Sequence, residues 1–350
     1  MLRPSDWRES PLQATREPKR AKAKRAKALW YVGPDRSELR EELLQPPNAG
    51  EVQVAALFGA ISRGTERLVH AGRVPVSEYR RMRAPHMAGA FPFPVKYGYA
   101  TVGRVKAGPA ELCGRTVFAL YPHQDFFNIP AEAVLPVPDG IPPARAVLAA
   151  NMETAVNAYW DGMPCACDRI AVVGGGLLGM LCAYLCARIP GAQVTVVDVV
   201  PSRGELARRL GVRFASSPDD LADCDIVFHT SGTAAGLAAA LRIAGDETSI
   251  VELSWYGSGE IAVPLGEAFH SRRLRVLSSQ VGKVAPSHRP RWSPARRLAA
   301  ALALLRDPVL DALIASPICF NELPAAMSKI FAGQLDSVCP LIRYPAGSAL

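Results

Sequence analysis

The stretch that most constrains this chain is Gly174-Gly-Gly176-Leu-Leu-Gly179, which follows the apolar run Arg169-Ile-Ala-Val-Val173 and opens a longer apolar run over residues 177–189. A strand that turns on glycines into a helix leaves the helix N-terminus with unfilled N–H groups and a backbone close enough to receive a pyrophosphate. The first glycine permits the tight turn, the second the close approach, and the third the packing of helix on strand. Asp198 stands nineteen residues after Gly179, at the end of the next apolar run, where a carboxylate can accept hydrogen bonds from adenosine ribose hydroxyls. Gly174, Gly176, Leu177, Leu178, Gly179 and Asp198 are therefore candidate dinucleotide-binding residues. A carboxylate there repels the extra phosphate of NADP, so NAD is the expected cofactor; Arg203, five residues on, keeps NADP open because a guanidinium can neutralise that phosphate. The bland alternatives are a glycine turn in a similar fold that binds nothing, and a surface arginine that starts a helix.

Apolar runs at 170–173, 194–197, 212–214, 226–229, 249–253 and 274–277, separated mostly by helix-length segments, describe an α/β, Rossmann-type doubly wound parallel sheet. Ligands of such sheets bind at the carboxyl ends of the strands. His229-Thr230-Ser231-Gly232 and Leu253-Ser-Trp-Tyr-Gly257 lie at two such ends, and Thr230, Ser231 and Gly232 suit backbone contacts to a nicotinamide; ordinary loop chemistry is the alternative. Ahead of this unit, short runs at 28–32, 51–58, 101–105, 115–120, 126–129 and 134–137, punctuated by Gly and Pro, predict a compact, mostly antiparallel barrel. A single helix is expected over 144–160. Beyond 281 the pattern predicts helices at 294–306 and near 324–332 and a strand at 342–344, with no internal repeat.

The net charge of +8 suggests nucleic acid until it is located, because residues 1–28 contribute +6 of it. Residues 1–27 are polar, basic and interrupted by Pro, and read as a disordered arm. The nearly neutral remainder does not favour a nucleic-acid partner. Eight cysteines without a C-x-x-C pair or a secretory signal fit a reducing, cytoplasmic setting, and Cys165 and Cys167 read as ordinary thiols. The longest uncharged run, 170–187, contains the glycine turn and so reads as strand, turn and helix, not as a membrane span.

This order of parts resembles the medium-chain dehydrogenase/reductase superfamily over about residues 28–345. Pro47-Asn-Ala-Gly-Glu-Val-Gln-Val54, Gly114-Arg-Thr-Val-Phe118 and Val134-Leu-Pro-Val-Pro-Asp-Gly140 look like landmarks of its GroES-like catalytic domain. Ser62-Arg-Gly-Thr-Glu66, Tyr97-Gly-Tyr-Ala100 and Asn151-Met-Glu-Thr154 look most like the branch named for 2-desacetyl-2-hydroxyethyl bacteriochlorophyllide a dehydrogenase. After the disordered arm (1–27), the resemblance implies a GroES-like β-barrel domain (28–150), a Rossmann domain (151–280) and a C-terminal return to the catalytic domain (281–350). It also implies a homodimer or homotetramer acting on a small molecule, with a hydroxyethyl or comparable side-chain alcohol as the substrate group.

Zinc members of the superfamily carry a C-G-T/S-D-like segment, a G-H-E segment and a Cys before the bridging helix. Here these positions hold Arg63-Gly-Thr-Glu66, Gly98-Tyr-Ala100 and Ala150, and only Cys113 falls where a four-Cys lobe belongs. The six histidines show no metal spacing. The expectation is no zinc and no other metal site. Tyr99 and Arg63, in place of ligands, become candidates to stabilise oxyanion charge, Thr65 matches the family's proton-relaying hydroxyl, and Thr154 matches a residue beside the nicotinamide. Against these stand cavity filling by Tyr99 and a structural pairing of Arg63 with Glu66. The stretch from Tyr79-Arg-Arg-Met-Arg83 to Phe91-Pro-Phe-Pro94 reads as a substrate-side loop or, more blandly, as a solvated basic helix and a stiff loop. The expected activity is interconversion of a secondary alcohol and a ketone. A zinc-free quinone or enoyl reductase using NADPH, and a non-catalytic nucleotide-binding protein whose arm contacts nucleic acid, are the rivals.

Overall fold

A computed structural model describes residues 23–335 and 337–345. The glycine-punctuated first half forms short strands because each run is long enough to bury one face and no longer. β1 (Lys24–Gly33) buries Ala26, Ala28, Leu29 and Tyr31 and turns at Asp35 into β2 (Arg36–Leu44), its antiparallel partner. β3 (Glu51–Ala60) follows, then α1 (Thr65–His70) and two short pieces, β4 (Ala88–Gly89) and β5 (Val95–Lys96), that complete a four-stranded sheet in the order β2-β1-β5-β4. β6 (Thr101–Ala107), β7 (Thr116–Ala119), β8 (Phe126–Pro130) and β9 (Val134–Pro136) build a second sheet around β3, which pairs antiparallel with both β6 and β8.

The chain then bridges to the second half through α2 (Pro143–Ala146) and α3 (Ala149–Gly162). The single helix expected over 144–160 is thus broken at Val147-Leu148. Arg145 explains the break: its guanidinium forms paired bonds of 2.7 and 2.6 Å to Asp311 and reaches the carbonyls of Leu305 and Arg306, which holds the first turn to a different part of the molecule. The buried alanines of α3, at 149, 150, 155 and 158, let the helix lie close to its neighbours.

β10 (Arg169–Val173), α4 (Leu177–Cys186), β11 (Gln193–Val197), α5 (Arg203–Arg209), β12 (Arg213–Ala215), β13 (Cys224–His229), α6 (Ala234–Ile243), β14 (Ala244–Glu252), α7 (Ala268–Ser271) and β15 (Arg275–Ser278) form the α/β unit. Its six strands are all parallel, in the order β12-β11-β10-β13-β14-β15, so the order reverses beside β10, where the glycine turn leaves the sheet. Beyond it, α8 (Pro294–Leu304) packs against α3. β16 (Ile318–Cys319), α9 (Leu323–Phe331) and β17 (Leu341–Arg343) return to the barrel, where Leu341 pairs with Ala60 and Arg343 with Phe58.

Three further expectations need correcting. Lys24 to Lys27 belong to β1, where Lys27 N–H bonds Asp125 at 2.7 Å, so strand pairing begins inside the expected arm; residues 1–22 of that arm lie outside the described residues. β2 was not anticipated, because its Arg- and Glu-rich sequence alternates too weakly to signal a strand. The basic stretch 79–83 is a series of turns after a short 3-10 segment at Val76–Glu78, and none of residues 79–94 lines the cavity described below. All eight cysteines are free thiols.

Arg297 ties these parts together from a fully buried position. It bonds Glu153 at 3.0 Å and Asn157 on α3 and the carbonyls of Val281 and Lys283. Replacing Arg297 by Met strands the Glu153 charge and two carbonyls in the interior, so the unfolding free energy in urea is expected to fall by about 3–5 kcal/mol; a loss within experimental error contradicts this role.

Candidate active site

The turn after β10 is built as its glycines require. Gly174 has φ +112°, and a Cβ there would lie 2.6 Å from the Ser231 nitrogen. A side chain at Gly179 would overlap the Gly174 carbonyl oxygen and meet Thr230 Oγ1 at 2.7 Å. Thr230 Oγ1 in turn donates to the Gly174 carbonyl at 2.7 Å, which locks the end of β13 to the turn. Gly176 caps α4 without a side-chain hydrogen bond, so the first N–H groups of the helix remain for an anion. Asp198, at the end of β11, accepts from Gly175 N at 2.6 Å and Val200 N at 2.8 Å, with one oxygen for each. It shapes the turn and keeps lone pairs for hydroxyls beyond it.

A single cavity of about 740 Å³ runs from this turn to the barrel. Gly174, Gly176, Leu177, Leu178, Gly179, Asp198, Arg203, Thr230, Ser231 and Gly232 all line it, and so do Arg63 and Thr65 from the barrel side. Two candidates do not. Thr154 lies on α3 with its hydroxyl spent on the Ala150 carbonyl at 3.1 Å, one helical turn back. Tyr99 is half-buried and is not part of the lining, although Ser62 and Thr65 beside its phenol are. Residues that sequence reasoning missed complete the walls. Asn151, Ser254 and Trp255 belong to motifs it had quoted, whereas Arg67, Arg242, Phe331 and Val338 carry no local signal.

The barrel end of the cavity is organised by Glu66, which is completely buried at the start of α1. Its carboxylate accepts from the Tyr31 hydroxyl at 2.7 Å and from the Ser62 N–H at 2.8 Å, and lies 2.8 Å from His123 Nε2. His123 is tied by its backbone to Tyr97 and Leu29, so one carboxylate joins β1, the 97–100 segment and the turn that presents Thr65. Burial, then the Glu66 charge, pushes the Tyr31 phenol well up and the Tyr99 phenol up to about 12. Tyr99 is therefore a neutral phenol at physiological pH. Arg63 does not lie free in the cavity: its Nη1 donates to the Ser337 carbonyl at 2.8 Å, toward the loop that brings Val338 to the wall.

At the opposite wall, the ends of β13 and β14 form a second polar group. His229 is fully buried, with Nδ1 2.7 Å from Glu252 and Nε2 2.6 Å from Ser231 Oγ. Burial alone would raise the Glu252 carboxyl, but the hydrogen bonds it accepts, first from His229 and then from the Ser254 N–H, outweigh it and hold the group below the usual carboxylate range.

The chemistry of the donor set bears on zinc. Arg63 is a cation, Ala150 has no donor atom, and the Tyr99 phenol is held protonated, so these positions do not fit the metal. Among the described residues, no group of three or more His, Cys, Asp and Glu side chains is placed to hold a metal ion.

Comparison with known proteins places this geometry. No family model matches the chain. Over 277 residues it is 24% identical to the D-guloside 3-dehydrogenase of Escherichia coli K12, an alignment that covers 71% of this chain and 79% of that one. It is 26% identical over 165 residues to an uncharacterized zinc-type alcohol dehydrogenase-like protein of the same organism, over 43% of this chain and 47% of the relative. A solved alcohol dehydrogenase from E. coli CFT073, in complex with NADH, superimposes with a TM-score of 0.72 at 16% identity, covering 91% of this chain and 99% of that structure. The chain shares the fold of this alcohol dehydrogenase. Within that fold, the cavity lies between barrel and parallel sheet, at the point where the strand order reverses.

Replacing Glu66 by Ala leaves the Tyr31, His123 and Ser62 groups without their acceptor, and is expected to cost about 3–5 kcal/mol of stability in urea unfolding. A loss below about 1 kcal/mol would show that these groups find other partners.

Proposed function

We propose that this protein is a nicotinamide-dependent oxidoreductase that interconverts a secondary alcohol and a ketone by hydride transfer, without a catalytic zinc ion and with NAD preferred over NADP. The observation that carries the reading is that one cavity has a glycine turn and open helix N-terminus at one end and a hydroxyl pair, Thr65 with Tyr99 beside it, at the other. The nicotinamide ring, when bound, accepts or supplies the hydride. Gly174, Gly176 and Gly179 let the backbone receive the pyrophosphate, and Leu177 and Leu178 offer N–H groups from the first turn of α4. Asp198 binds the adenosine ribose, and Thr230, Ser231 and Gly232 bound the nicotinamide half. Thr65 holds the proton at the substrate oxygen, and Tyr99 orients Thr65 and Ser62 as a phenol that stays protonated. Arg63 braces Ser337 and keeps positive charge at the wall, in the place where a metal would otherwise supply it.

The branch resemblance supports a side-chain alcohol on a larger molecule as substrate, and the sugar-derivative name of a relative supports a polyhydroxylated one. A homodimer or homotetramer in the cytoplasm fits the resemblance and the thiol-only cysteines. Among the described residues no helix is long and apolar enough to cross a membrane. One observation favours the NADPH-dependent quinone or enoyl reductase reading: Arg203, nine-tenths buried beside Gly175 and Asp198, shares its end of the cavity with Arg242 and Ser216.

Titrating tryptophan fluorescence with NADH and NADPH decides between the cofactors. NADH is expected to bind more tightly, and Asp198→Ala to weaken NADH by about tenfold, equal to ~1.4 kcal/mol. Tighter NADPH binding by the native protein would overturn the reading of Asp198 and promote the reductase. Tyr99→Phe keeps the packing and removes the donor, so ketone reduction is expected to slow by about tenfold or more while NADH affinity is unchanged. Native turnover in that variant would reduce Tyr99 to a space-filling residue.

A further inference from the structure

Ser231, His229 and Glu252 form a continuous chain of hydrogen bonds whose Ser231 end lines the cavity. We propose that His229, held by Glu252, is the proton-accepting group of this site and that Ser231 is its contact with a hydroxyl lying in the cavity. The inference rests on the dehydrogenase reading above.

The orientation of the imidazole follows from its partners. Glu252 also accepts from the Ser254 N–H at 2.7 Å and the Tyr256 hydroxyl at 3.1 Å, the pattern of an ionised carboxylate, so Nδ1 carries the hydrogen directed at it. Nε2 is then an acceptor, and the Ser231 hydroxyl donates to it across 2.6 Å. Ser254 Oγ at 3.4 Å and Tyr256 at 3.5 Å face the same Nδ1 from beyond β14, and α6 contributes Gly236. A Cβ at 236 would overlap Ser231 Oγ and come within 2.8 Å of His229 Nε2, so the close approach of the pair depends on glycine there.

Oxidation of an alcohol releases one proton for each hydride transferred. In the proposed step the alcohol O–H breaks, the electron pair left on oxygen forms the carbonyl as the hydride leaves carbon for the nicotinamide, and the proton passes through a cavity hydroxyl to Ser231. The original Ser231 proton moves to Nε2, and the imidazolium is stabilised by Glu252. Reduction runs the same chain in reverse. A nucleophilic role for Ser231 is not supported, because the nearby Gly232 and Thr233 N–H groups are spent on Ser254 Oγ and Ser231 Oγ, which leaves no donor pair for an oxyanion.

The test uses the full chain labelled at histidine, with the His229 signal identified by its loss in His229→Gln. The ring-nitrogen NMR signals of His229 are expected to shift when NADH binds. In His229→Gln, kcat for alcohol oxidation should fall by about tenfold and the acid limb of its pH profile disappear, with KM for NAD within about twofold of native. Gly236→Ala, whose added methyl drives Ser231 Oγ and His229 Nε2 apart, should lose kcat in the same way. A His229 signal indifferent to NADH, or a native pH profile in His229→Gln with only cofactor affinity reduced, overturns the inference and leaves the pair a structural brace. If NADH does not bind at all, the dehydrogenase reading fails; if it binds and His229 is silent, only this inference fails.

Discussion

The carboxylate of Glu66 is the constraint on which the barrel end of the site depends. A charged group with no exposure survives in a protein interior only if its oxygens are filled, and three chain segments converge to fill these. Tyr31 comes from β1, His123 from the segment before β8, and the Ser62 N–H from the turn into α1. Their convergence places Thr65 at the cavity wall, with Tyr99 in the neighbouring segment. Hydroxyl chemistry at that wall therefore follows from how a buried charge is satisfied, in a region where neighbouring positions lack metal ligands.

The parallel sheet supplies the complementary half by a different device. Its site depends on what is missing: side chains at 174 and 179 that would collide with backbone, and a capping side chain at the start of α4. Asp198 and Thr230 then bind the turn to the two strands flanking β10, so its backbone is held from both sides. The two halves are held in register by buried arginines: Arg145 links α2 to residues 305–311, and Arg297 links α8 to α3.

Much of this was legible from local pattern. The six parallel strands, the glycine turn and Asp198 announce themselves because a strand buried on both faces is continuously apolar and a glycine turn has few uses. What could not be read depends on distant partners. The break between α2 and α3 is enforced by Asp311, more than a hundred and fifty residues away. β2 forms because β1 offers it a ladder, despite a sequence rich in Glu and Arg. Thr154 sits in a motif that suggested the cavity, yet its hydroxyl turns back to Ala150. Phe331 and Val338 reach the wall only because β17 closes against β3. His229 was visible as a strand end, but its pairing with Glu252 depends on the register of β13 with β14, which sets these two residues side by side.

The central claim is that hydride transfer at this site needs the dinucleotide and these side chains but no zinc. The most direct measurement follows deuterium from 4-deuterated NADH into the alcohol formed from a ketone, using chelator-treated protein whose metal content is determined on the same sample. The account predicts that deuterium appears at the carbinol carbon at an undiminished rate with zinc far below one equivalent. Transfer that is lost with the metal and restored by adding zinc would contradict it.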